Sequence, residues 1–180
     1  RTGSALDASI VAMAGTLPLL AATLIAGAAV DYLGRRRVSM ISDALSALSV
    51  AAVPVLALAF GADVVNVAVL AALAALGALF DPAGMTARET MLPEAAARAG
   101  WSLDRANSYF EAVFNLAYIV GPGIGGLLIA TLGGINTMWV TAATFVLSIA
   151  AISLLRLEGA GIPDRSALTG SVWAGILEGL

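Results

Sequence analysis

Five near-continuous apolar stretches set what this chain can fold into. They cover about residues 8–30, 38–60, 64–81, 104–131 and 135–155. The first and fifth carry no charge, the second only Asp43, and the third none before Asp81; the fourth is more polar at its start and Gly-rich later. A helix needs about 20 apolar residues to cross a bilayer, and only a structure that satisfies its own backbone hydrogen bonds can do so. The expected fold class is therefore all-α, a polytopic transmembrane helix bundle. Composition agrees, with 60% hydrophobic and 12% charged residues. A soluble domain carries roughly a quarter charged residues, so this chain has too few to cover a water-facing surface.

Successive spans alternate in direction, so the loops near 31–37, 82–105 and 156–170 share one side. They hold Arg35, Arg36, Arg37, Arg88, Arg98, Arg105, Arg156 and Arg165, which is eight of the nine arginines. The positive-inside rule makes that side cytoplasmic, and the expected location is the cell membrane. A very apolar soluble bundle predicts no such sorting. The chain opens at Arg1 without Met and closes at Leu180 inside a helical pattern, so it reads as a fragment.

The absent residues narrow the chemistry. With no Cys there is no disulfide or thiolate zinc site, and with no His the commonest metal ligand and general base are missing. No metal or cofactor site is expected. Nucleotide motifs and basic stripes interleaved with aromatics are also lacking, which speaks against ATP as the energy source and against nucleic acid as a partner. An enzyme is not expected.

Local punctuation divides the 82–105 loop. Pro93 suits a first helical position, Glu94 the helix start, Arg98 the last turn and Gly100 the stop, so a short surface helix is expected at 93–99. Trp101 then falls at the headgroup level, and Ser102 is the expected N-cap of the next span, with Asp104 in its first turn. Asn66 and Thr144 are assigned to interhelical hydrogen bonds. Beyond Arg156, Trp173, Ile176, Leu177 and Leu180 share one face of an amphipathic helix. It either lies on the membrane surface or begins a longer segment.

Residues 27–37 read GAAVDYLGRRR. Membrane topology explains the arginines but not Asp31, an acid near the negative end of a helix dipole. It needs a cationic or helix-N-terminal partner, which the arginines beyond Gly34 can supply. The pattern resembles the signature between the second and third helices of the major facilitator superfamily. Gly27, Asp31, Gly34, Arg35 and Arg36 match it, while Tyr32 stands where that family usually has a basic residue. The resemblance implies a charge relay of Asp31 with Arg35, Arg36 and Arg37 at a cytoplasmic gate.

A second motif lies in the fourth span. Ala117, Gly121 and Gly125 recur every four residues, and Pro122 can kink the helix. Together with Gly126 they resemble the G-P-x-x-G-G core found in the fifth helix of superfamily exporters, which is associated with antiport. Pro82, Leu92-Pro93 and Ala106-Asn107 resemble the branch containing macrolide-efflux proteins and the enterobactin exporter. The resemblance implies that residues 1–156 are helices two to six of an N-terminal half-domain and 157–180 the start of its central loop. The first helix and the C-terminal half would be missing partners.

Intramembrane polar groups are the candidate proton or cavity sites. Asn107, Glu111, Asn115 and Tyr118 share one face of the fourth span. Glu111 is either protonatable or a partner for an arginine such as Arg88 or Arg105. Asp43, flanked by Ser39, Ser42, Ser46 and Ser49, is favoured as a gate-side structural partner over a proton carrier. The function implied is secondary active, proton-coupled efflux of a small amphipathic compound, drug-like or siderophore-like. The alternative is a non-transporting scaffold or degenerate half-transporter.

Overall fold

The computed structural model describes residues 9–13, 22, 26, 29–155 and 157. Four long helices follow one another: α1 (Arg35–Phe60), α2 (Val67–Arg98), α3 (Leu103–Leu132) and α4 (Gly134–Leu154). A 3-10 turn at Ala62–Val64 joins the first two. There is no strand among the described residues. All four helices are long and apolar enough to cross a membrane. The stretch 8–30 lies largely outside the described residues, as do Gly27, Ala28, Arg156 and 158–180.

Helices occupy the apolar stretches about 38–60, 104–131 and 135–155, but the expected loop over 82–92 is not there. Helix α2 continues through Pro82 and Pro93 to Arg98, so Pro93 is interior rather than the first residue of a surface helix. Two factors outweigh the prolines. The residues between them include strong helix formers such as Ala83, Met85, Ala87, Arg88 and Glu89. Packing then holds the same stretch, with Ala87 and Met91 buried. The hydroxyl of Ser42 donates to the carbonyl of Phe80 at 2.7 Å, beside Pro82. At 32 residues, α2 extends about 48 Å, well beyond a hydrocarbon core of roughly 30 Å.

The ends obey local rules. Ser102 caps α3 as expected, accepting from the Arg105 N–H at 3.3 Å. Asn66 caps α2 by accepting from the Val69 N–H at 3.1 Å, so it is not an interhelical partner. Thr144 bonds the Thr141 carbonyl within its own helix at 2.7 Å. Gly34 separates helical residues 29–33 from α1 with φ 85°, a conformation costly for any residue with a Cβ. The motif glycine is thus required by a turn.

Helix α1 is the hub. It packs along α2 and α4, whereas α3 meets α2 and α4 more sparsely. Buried clusters lie near the arginine-bearing end of α1: Val30, Val38 and Ala87 in one, Met91, Ile152 and Leu157 in the other. The α1–α2 seam is built from small and polar residues in antiparallel register. Ser39 meets Arg88, Ser42 meets Gly84, Ser46 meets Asp81 and Ser49 meets Gly77. A Cβ at Gly84 would lie 2.8 Å from Ser42 Cβ and overlap its hydroxyl, so only glycine permits this approach.

Candidate functional site

The serine stripe and the close approach at Gly84 bring one ion pair into the seam. Asp43 is 3% exposed. Its Oδ1 accepts from Arg88 Nη1 at 2.9 Å and its Oδ2 from the Ser148 hydroxyl at 2.7 Å. Arg88 also reaches Ser39 Oγ at 3.4 Å. One carboxylate therefore ties together α1, α2 and α4. A further rung joins Ser46 Oγ to Asp81 Oδ1 at 2.8 Å. Among the described residues no buried side-chain polar atom lacks a partner. A charge in an apolar span is costly unless paired and hydrogen-bonded, and this node satisfies both conditions.

Sequence reasoning singled out Asp43 and the serines, but it missed Ser148 and offered Arg88 to Glu111. Gly77 and Gly84, seven residues apart on α2, carried a usable signal: two glycines on one helical face invite a stripe of small residues from a neighbour.

The arginine run is arranged differently from the expected relay. Arg35 donates to the carbonyl of Thr90 in α2 at 3.1 Å, and Arg36 to the carbonyl of Ser153 near the end of α4. Among the described residues, neither they nor Arg37 forms an ion pair with Asp31, which is half-buried. The turn at Gly34 sets α1 on a new course, and its arginines reach neighbouring helices instead of folding back. Arg36 meets the carbonyl-rich end of α4, where a cation is favoured.

Helix α3 stands apart. Asn107, Glu111, Asn115 and Tyr118 are all exposed, and the Tyr118 ring packs tilted against Phe114 with centroids 5.1 Å apart. No ion pair joins Glu111 to a described residue, because Arg88 is held by Asp43 and Arg105 lies over Trp101. Nothing comes within 4 Å of a Cβ built at Gly121, Gly125 or Gly126. The small-residue stripe of Ala117, Gly121 and Gly125, expected to pack closely, is open here. Pro122 is accommodated inside a continuous helix. Among the described residues no group of His, Cys, Asp and Glu could hold a metal ion.

Known proteins resemble this sequence. Residues 2–178 match the family described as Major Facilitator Superfamily. The chain belongs to that superfamily. Over all 180 residues it is 85% identical to a protein named multidrug efflux pump Tap from Mycolicibacterium fortuitum, and covers 44% of it. It is 66% identical to proteins of the same name from Mycobacterium tuberculosis (strain ATCC 25618 / H37Rv) and Mycobacterium bovis (strain BCG / Pasteur 1173P2), covering 43% of each. The chain thus spans less than half the length of these relatives. No solved structure gives a significant match. A superfamily of transporters, not enzymes, and four membrane-length helices together make this a multi-pass membrane chain.

Proposed function

We propose that this superfamily chain supplies helices two to six, and the start of the central loop, of a secondary active exporter. Its cargo is a small amphipathic compound, drug-like or siderophore-like, and inward proton flow drives it. The observation that carries this is 85% identity, over the entire chain, to a protein named as a multidrug efflux pump. The geometry supports it. Asp43, Arg88 and Ser148 join three helices into one unit, and such a unit can rock as a body in alternating access. Asp31 is without an ion pair among the described residues, leaving it available to a gate partner from the remainder of the transporter. Arg35 and Arg36 hold the start of α1 beside that gate. The open stripe at Gly121, Gly125 and Gly126 lets the Pro122-containing helix move against a neighbour. Glu111, exposed on the polar face of α3, is the proton or cargo contact. The membrane is the cell membrane, with the arginine-rich loops in the cytoplasm.

The test is accumulation of a fluorescent amphipathic cation in a bacterial host stripped of its own drug pumps. Expression of the full-length protein lowers accumulation, and a protonophore restores it. Unchanged accumulation with folded, membrane-inserted protein instead supports a non-transporting scaffold. Glu111→Gln should export without proton dependence; wild-type behaviour removes Glu111 from the proposal. The chain has no Cys, so Arg37→Cys offers one labelling site in this part. An impermeant maleimide should reach it only from the cytoplasmic face.

A further inference from the structure

The turn between α2 and α3 opens into a cleft that, apart from Ala117 of the small-residue stripe, the exporter reading does not use. Its volume is about 540 Å³ and its lining is almost wholly apolar. Helix α2 contributes small side chains, Ala95 and Ala99 among them, while α3 contributes Tyr109, Phe110 and Val113. Alanines facing rings leave space that neither helix fills. Along α3 the lining runs from Ala106 to Ala117, about 17 Å at ~1.5 Å per residue. That is close to half of a hydrocarbon core roughly 30 Å thick, the depth of one leaflet.

One cation stands at the end of this cleft. The Arg105 guanidinium lies 4.5 Å from the Trp101 ring centroid and 5.8 Å from that of Tyr109. The two rings, which both line the cleft, are 5.1 Å apart. Among the described residues no carboxylate pairs with Arg105, although Asp104 precedes it. The two rings hold the guanidinium at the end of the cleft, no side-chain hydrogen bond joins it to another described residue, and its N–H fork suits phosphate oxygens.

We propose that this cleft binds an anionic phospholipid of the bilayer, with one acyl chain against the apolar lining and the phosphate on Arg105. Charge selects this occupant. Arg105 repels a cationic amphiphile, whereas basic groups between membrane helices attract anionic headgroups. An extended peptide would bring backbone N–H and C=O groups into a lining with almost no partners for them.

The experiment measures retention of spin-labelled phosphatidylglycerol and phosphatidylcholine by the purified full-length protein. It reads lipid binding without any flux, so its failure is distinct from failure of the exporter reading. The unaltered protein should retain phosphatidylglycerol about fivefold better, the factor that one basic residue contributes near an anionic surface. Arg105→Gln should abolish this preference and Arg105→Lys should keep most of it, which separates a lost charge from a lost fold. Val113→Trp, at an exposed lining position, should displace both lipids from the immobilised fraction. Equal retention of the two lipids by the unaltered protein overturns the proposal, as does undiminished selectivity in Arg105→Gln.

Discussion

The α1–α2 seam and the flank of α3 are both built from small residues, yet one is closed and the other open. In the seam, Ser42 and Gly84 approach so closely that a Cβ has no room. On α3, Gly121, Gly125 and Gly126 face nothing within 4 Å. Small residues permit close approach on either helix but do not choose a partner. The choice in the seam comes from polar rungs: Arg88 to Asp43 and Ser39, Ser42 to Phe80, Ser46 to Asp81. A register slip would leave these groups unpaired in an apolar setting, and that penalty fixes the alignment. Helix α3 has no equivalent rungs to the other described helices.

Breaking the rungs should therefore cost far more than altering the open stripe. The largest effect is expected from Arg88→Ala, which strands the buried Asp43 carboxylate. Losing one partner of a buried pair costs about 3–5 kcal/mol, and the Arg88 side chain is 36% exposed, which favours the lower end. Thermal unfolding of the purified protein checks this, and a combined Asp43→Leu and Arg88→Leu change should recover much of the loss. A double variant as unstable as the single one would show that shape, not charge, holds the seam.

The next effect sharpens the contrast between the two small-residue surfaces. Gly84→Ala should destabilise by about 1–3 kcal/mol through overpacking. Gly125→Ala should leave unfolding nearly unchanged while slowing transport, if the stripe serves movement. Equal destabilisation by both would erase the distinction drawn here. A smaller loss, about 1 kcal/mol, is expected from Asn66→Ala, which removes the cap of α2; hydrogen exchange at Val67–Leu70 reports it directly.

These differences also mark what could be read from residues in order. The helices over 38–60, 104–131 and 135–155 followed from hydropathy, and the stop at Gly100 and the cap at Ser102 from local chemistry that acts within a few residues. The continuation of α2 through Pro82 and Pro93 was legible only in part: the helix formers between the prolines are local, but the burial of Ala87 and Met91 against other elements acts across the fold. The same holds for the node. A buried Asp43 announces that it needs a partner, but linear spacing does not say whether Arg88 turns to Asp43 or to Glu111. Asp31 and its arginines are neighbours in sequence and still do not pair, since Gly34 redirects the chain between them. Motif spacing located that stretch, while backbone geometry decided its contacts.

The most direct measurement reconstitutes the full-length protein in proteoliposomes and follows a fluorescent amphipathic cation under an imposed pH gradient. The account predicts accumulation that collapses with a protonophore and falls at least tenfold, about 1.4 kcal/mol, in Asp31→Asn. Accumulation indifferent to the gradient and unaltered in Asp31→Asn would contradict it.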